Sequence, residues 1–194
     1  WDVTIFDANS GNMIRTLGPH GAKVYCISLS ADNKLLASGE FDVPFMKNSR
    51  AVRIWDVNSG RLLHKLRSHR SDVKSVAFSP DGHLLASASG KDVMIWNTAT
   101  GELIKTLKHK SHGVIKVTFS PDGERLVTGN LNGSVNIWNV ESGRVISTWK
   151  HKGYLWTLAF SPSGDVLATG HGMYVIFWDP ETGSAIRKFL HRGS

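Results

Sequence analysis

Leu66 to Asn97 reads LRSHRSDVKSVAFSPDGHLLASASGKDVMIWN, and Leu107 to Asn139 reads LKHKSHGVIKVTFSPDGERLVTGNLNGSVNIWN. The second stretch restates the first in the order of its basic, apolar, turn and aromatic residues. A third copy ends at Trp178, and a degraded one ends at Trp55. Trp55, Trp96, Trp138 and Trp178 stand 41, 42 and 40 residues apart, and Gly60, Gly101, Gly143 and Gly183 keep the same intervals. Two markers of unlike chemistry on one period make the repeat the architectural unit.

Each unit divides into four strands. In 18–66 they fall near 22–29, 34–40, 51–57 and 61–66; in 67–107, near 73–79, 83–89, 92–97 and 102–107. In 108–149 they fall near 114–119, 124–129, 134–139 and 144–149; in 150–190, near 154–160, 165–170, 174–178 and 184–190. Residues 1–17 supply only the last two strands of a unit, at 3–7 and 13–17, and 191–194 form a tail. SPDG at 79–82 and 120–123 and SPSG at 161–164 put Pro second and Gly fourth in a tight turn, with Ser30-Ala31-Asp32-Asn33 as a weaker version. No segment keeps a helical period over the 10–12 residues a helix needs. In the first strand of every unit the apolar residues are spaced three and then two, as in Val73, Val76 and Phe78. A flat strand needs two throughout, so a bulge is expected in each.

Composition narrows the class. No run of 18 apolar residues spans a membrane, and WDVTIFDANSG at the start is no signal peptide. The single cysteine, Cys26, has no internal disulfide partner, so the expected setting is intracellular, cytoplasmic before nuclear. A net charge of +7 favours acidic partners.

The succession His, Val, SPDG, Leu-Ala-Ser and Ile-Trp-Asp or Ile-Trp-Asn resembles the WD-repeat family across essentially the whole chain. The resemblance implies an all-β fold: a β-propeller of four-stranded antiparallel blades around a channel. It also implies a buried hydrogen-bonded set in each blade, linking His, Ser or Thr, Asp and Trp. The first full unit has all four as His20, Ser38, Asp42 and Trp55. The second has His69, Ser87 and Trp96, with Asp92 out of register. The third has Thr128, Asn132 and Trp138, with Lys110 in the imidazole's place and His109 beside it. The fourth has His151, Thr169 and Trp178 and lacks the carboxylate. Such rings need six to eight blades, so this chain forms a partial ring. Either further blades of a longer chain or self-assembly of copies is expected to close it, the former preferred because the sequence begins in mid-repeat.

The search for chemistry is negative. Ser89-Gly90-Lys91 ends like a phosphate loop but has Leu85 where the first glycine belongs, and HExxH, CxxC and nucleophile-elbow patterns are absent. Asp81 and Asp122 sit where turn bonding explains them. No enzyme, metal or cofactor is expected. A non-catalytic interaction platform is.

The resemblance implies docking on the face that carries the loops from strand four to strand one and from strand two to strand three. Lys23, Tyr25, Asp72, Lys74, Ile115, Tyr154 and Trp156 flank the bulge there, joined by Phe41 and Leu131 at the ends of strand two. Tyr154 and Trp156 are the strongest candidate anchors, the alternative being that both rings pack on a neighbouring blade. Basic loops recur at Arg67 and Arg70, Lys108 and Lys110, and Lys150 and Lys152, which points to an acidic protein or peptide. An insertion at 43–50 offers Phe45 and Met46 either as a contact patch or, equally, as side chains folded back onto the blade. The alternatives are nucleic acid or anionic lipid on the basic loops, or a regulatory sensor module within a larger multidomain signalling protein.

Overall fold

The computed structural model describes residues 1–41, 50–110 and 112–190; Asp42, Phe45, Met46 and the tail lie outside them. The described residues contain strands and turns and no helix. β1 (Val3–Phe6) and β2 (Met13–Leu17) form a two-stranded sheet. The first full blade is β3 (Lys23–Leu29), β4 (Leu35–Phe41), β5 (Val52–Asp56) and β6 (Leu62–Leu66). The second is β7 (Val73–Phe78), β8 (Leu84–Ser89), β9 (Asp92–Asn97) and β10 (Leu103–Lys108). The third is β11 (Val114–Phe119), β12 (Arg125–Asn130), β13 (Ser134–Asn139) and β14 (Val145–Lys150); the fourth is β15 (Leu155–Phe160), β16 (Leu167–His171), β17 (Tyr174–Trp178) and β18 (Ala185–Leu190). Every sheet is an antiparallel meander in chain order.

The bulge expected from three-then-two spacing is present in all four blades. Register shifts at Val24/Cys26, Val73/Ser75, Val114/Lys116 and Leu155/Thr157. Beside it, strand-one serines reach the next blade: Phe78 N–H donates to Ser28 Oγ (3.4 Å) and Val117 N–H to Ser75 Oγ (3.3 Å). The inner strands surround a central depression of about 590 Å³. A second irregularity was not anticipated, where strand three meets strand four, at Ile54/Trp55, Ile137/Trp138 and Phe177/Trp178.

The turns explain themselves chemically. In the second blade Ser79 Oγ donates to Asp81 Oδ1 (2.5 Å) and accepts from Leu84 N–H (2.9 Å), while Gly82 takes φ +74°. In the first blade Asn33 adopts that left-handed conformation at φ 59°, which asparagine tolerates better than most side chains. At the other hairpin, Asp56 Oδ1 accepts from the Ser59 amide and hydroxyl, both at 2.6 Å. The acidic residue after the tryptophan therefore caps a turn.

The cores lie between blades. Val52, Ile54 and Leu66 of the first blade pack on Val73, Val76 and Trp96 of the second, and the next two interfaces repeat the arrangement. The succession does not close. Val52, Val93 and Val135 are buried, but their equivalent Val175 on the fourth blade is 38% exposed. At the other end Ile27 is 54% exposed where its equivalent Val76 is 6%, because the β1–β2 sheet lacks the two inner strands that would cover it.

Candidate functional site at the loop end of the blades

The site is built on a hydrogen-bonded set under each upper loop. Trp55 Nε1–H donates to Ser38 Oγ (3.1 Å), which also meets His20 Nε2 (2.9 Å). In the second blade Trp96 Nε1–H donates to Ser87 Oγ (2.7 Å), and His69 Nε2 lies 2.7 Å from the same oxygen. An indole is a donor only, so a buried hydroxyl accepts from it and bonds an imidazole as well; the second imidazole nitrogen meets the Trp1 carbonyl in His20 (3.2 Å), whereas Nδ1 of His69 is buried with no partner among the described residues.

The third and fourth blades depart from the expected assignments. Trp138 Nε1–H donates to Thr128 Oγ1 (2.9 Å), but the imidazole over the indole is His109, at 5.0 Å between ring centres, while Lys110 is exposed. Asn132 does not join this set; its Oδ1 accepts from Ser134 N–H (3.1 Å) and caps a turn. The buried amide is Asn130, which meets His109 Nδ1 (3.3 Å) and donates to the His112 carbonyl (3.0 Å). In the fourth blade Trp178 Nε1–H donates to Thr169 Oγ1 (2.7 Å), and the imidazole on that hydroxyl is His171 (2.8 Å), not His151. His151 instead lies against His171, with ring centres 4.1 Å apart and planes tilted by 42°.

Sequence reasoning missed a buried polar position common to all blades, which in the fourth blade is the imidazole just described. Two residues after the hydroxyl, strand two ends in a buried polar side chain: Glu40, Ser89, Asn130 or His171. The first three reach the loop before strand one. Glu40 accepts from Gly21 N–H (3.3 Å), Ala51 N–H (3.3 Å) and Arg53 Nε–H (2.7 Å). Ser89 Oγ donates to the Ser71 carbonyl (2.6 Å). The signal was available, since a polar residue closing an apolar strand in every repeat needs a buried partner.

Above these supports lies the rim. Tyr25 and Phe41 stack with centres 5.7 Å apart and planes 21° from parallel. Lys74 Nζ sits 4.8 Å from the Tyr25 ring centre, 4.5 Å from that of Phe41 and 3.0 Å from Asp72 Oδ2. A cleft of about 200 Å³ continues from Asp72 and Lys74 past Gly90 to Ile115 and Leu131. Tyr154 and Trp156 are 63% and 60% exposed, and Lys23 is exposed beside Tyr25. Arg67, Arg70, Lys108, Lys110, Lys150 and Lys152 are all exposed. The fold thus brings Tyr25, Phe41, Asp72 and Lys74 together and carries Ile115 and Leu131 into the adjoining cleft; Tyr154 and Trp156 belong to the fourth blade, apart from that cluster.

The titratable groups are tuned for structure. Burial pushes the imidazoles of His69, His109 and His171 down to about 4 and lowers His20 and His151. Burial pushes the Cys26 thiol up to about 12. The hydroxyl of Ser79 lowers Asp81, that of Ser120 lowers Asp122, and that of Ser59 lowers Asp56. Among the described residues no group of three or more His, Cys, Asp or Glu is placed to hold a metal ion, and no helix is long and apolar enough to cross a membrane.

Comparison with protein families matches the chain four times to the WD40 description, WD domain, G-beta repeat, at residues 11–56, 60–97, 101–139 and 143–179. A comparison with curated proteins finds no match.

Proposed function

The chain belongs to the WD40 repeat family, and on that premise we propose that it is a non-catalytic platform whose upper rim binds an acidic protein or peptide segment. WD40 repeats suggest an interaction scaffold in general. The observation that carries the finer reading is the company of exposed rings and exposed cations: Tyr25, Tyr154 and Trp156 protrude among six exposed Lys and Arg side chains. Among the described residues those six make no ion pair, so their charge is available to a partner. The rings supply desolvated anchors, and the cations supply steering and register.

The test is binding of a fluorescent peptide alternating Glu with Leu to the protein and to the Arg70→Glu, Lys110→Glu, Lys152→Glu triple variant. The triple variant should bind at least about tenfold more weakly, because three attractive pairs become repulsive at the rim. Equal binding by both proteins refutes the acidic assignment.

Nucleic acid or anionic lipid is the second reading, favoured locally by Tyr154 and Trp156 next to Lys150 and Lys152. Heparin separates the two: a generic polyanion displaces a ligand held by charge alone, whereas a peptide seated on Tyr25 and Trp156 resists it. A place within a larger signalling protein is compatible with either reading. We also propose that the bare apolar ends are covered by further blades or by a second copy. Light scattering decides between them by a mass at, or at twice, the 21.3 kDa of this chain.

A further inference from the structure

We propose that Tyr25, Phe41 and Asp72 form a clamp for the ammonium group of a lysine on the partner segment, and that Lys74 fills it in the free protein. The proposal rests on the reading of the upper rim as a docking surface and names one of the partner's side chains.

The geometry already shows the clamp holding a cation. The two rings stack nearly parallel, and Nζ of Lys74 lies 4.8 and 4.5 Å from their centres. Both values fall inside the ~6 Å range over which a ring face attracts an alkylammonium. Asp72 closes the cage with its carboxylate 3.0 Å from the same nitrogen. Rings plus one carboxylate select for positive charge.

The repeat shows that these side chains are not there for packing. Lys74 holds the bulge position, where the other blades place Tyr25, Ile115 and Trp156. Phe41 holds the position that is Gly90, Leu131 and Gly172 elsewhere, and Asp72 the one that is Lys23, Gly113 and Tyr154. The fold accepts nearly any residue at all three, in contrast to the Ser or Thr and Trp beneath them. A cation, two rings and a carboxylate converging from two blades are therefore an addition to the fold.

Lys74 is positioned to leave. It is only half-buried, and the cleft of about 200 Å³ beside it is lined by Ile115 and Leu131, which can take its aliphatic stem. Tyr25 remains 57% exposed, so a side chain arriving from solvent has access to the clamp. A partner lysine exchanges one ammonium for another, and its flanking acidic residues then meet the surrounding cations. The expected partner segment carries a lysine, free or methylated, between acidic residues.

The experiment uses two probe pairs. Choline and its neutral isostere 3,3-dimethyl-1-butanol are titrated while the Tyr25 ring signals are followed by NMR. In Lys74→Gln the clamp is vacated. Choline should then bind about tenfold more tightly than to the unmodified protein, as for a clamp open about a tenth of the time. The neutral isostere should leave the signals unmoved, and Tyr25→Leu in the Lys74→Gln background should abolish the choline effect. Equal response to choline and isostere, or choline binding that survives Tyr25→Leu, overturns the clamp.

The second pair is a Glu-flanked peptide with a central lysine or norleucine. The lysine peptide should bind more tightly, and Tyr25→Leu should erase the difference. If both peptides bind equally well, the clamp proposal falls while the upper-rim reading stands. If choline binds Lys74→Gln but neither peptide binds, the assignment to a partner lysine is overturned together with the acidic-segment reading.

Discussion

Arg53→Met tests whether the buried ion pair under the first blade's loops supports the rim. Glu40 has no solvent exposure and Arg53 is 5% exposed, with Nε 2.7 Å from Oε1. Removing the guanidinium strands a buried carboxylate whose remaining donors among the described contacts are the Gly21 and Ala51 amides, both at 3.3 Å. Breaking one side of a buried pair costs about 3–5 kcal/mol, and methionine keeps much of the arginine stem's packing, so the loss is electrostatic. For a chain of this size each kcal/mol shifts the thermal midpoint by about 2–4 °C, so the variant should melt about 6–20 °C lower. Circular dichroism melts of four proteins complete the cycle: the original, Arg53→Met, Glu40→Gln and the double variant. The double variant should recover part of the loss: no charge is left unpaired, but the amide's single oxygen can accept from only one of Gly21 and Ala51, which bond different oxygens of the carboxylate. A single Arg53→Met within about 2 °C of the original would refute the reasoning, since the pair would then contribute nothing net. A double variant as unstable as the single would show that the cost lay in shape and not in charge.

Acid should destabilise the protein between pH 6.5 and 4. His69, His109 and His171 titrate at about 4 in the folded chain against an ordinary value of 6.5, so the unfolded chain binds those protons first; stability is whole above pH 6.5 and falls as pH drops through the window. Thermal midpoints measured from pH 7 to 4 should follow that course, and His69→Gln should make the fall shallower. Trp96→Phe removes the donor to Ser87 Oγ and part of a buried ring; it should cost about 1–3 kcal/mol in urea unfolding, with no loss beyond the error if the indole bond is inert. Cys26, half-buried at the central depression with its thiol pushed up to about 12, should react more slowly with a thiol reagent in the native state than in denaturant; equal rates contradict the raised pKa. Phe177→Lys on the bare end of the fourth blade should fold and bind less of an apolar dye, while Ile95→Lys at the equivalent buried position of the second blade should fail to fold. Equal behaviour of the two would mean that the end face is covered.

The repeat made most of the fold legible. Tryptophan and glycine spacing set the blades, Pro and Gly set the turns, and the three-then-two spacing located the bulges. These features were readable because each repeats a local requirement in every unit. The site was legible only where the same logic held. Ser38, Ser87, Thr128 and Thr169 sit at a fixed distance from the tryptophan along paired strands, so their hydroxyls face the indole. The imidazoles arrive from loops of varying length, and one residue more or less turns His109 inward in place of Lys110. His171 displaces His151 because strand two can deliver an imidazole to Thr169 as easily as a loop can. Asn132 matches the expected carboxylate position when residues are counted along the chain, but the buried site lies at the end of the strand and belongs to Asn130. The Tyr25–Phe41–Lys74 cluster joins neighbouring blades and has no signature in any single repeat.

Two layers of the same blade therefore answer to different demands. The lower layer, from the cores between blades up to the indole and hydroxyl, is nearly uniform because each blade must fit the next at close packing. The end of strand two has one task, to satisfy backbone or side chains where the blade meets its upper loop, and it is done with a carboxylate, a hydroxyl, an amide and an imidazole. Any polar group of sufficient reach suffices, so the position is free to differ, and the loops above the first three blades are each held in their own way. The rim positions above it vary further still, from Lys74 to Trp156 at one bulge site. A uniform rim would present the same patch four times and could not distinguish one register of a bound segment from the next. Variation confined to the layer that carries no packing load gives each blade its own chemistry, and specificity for a single partner can reside there without loss of the fold.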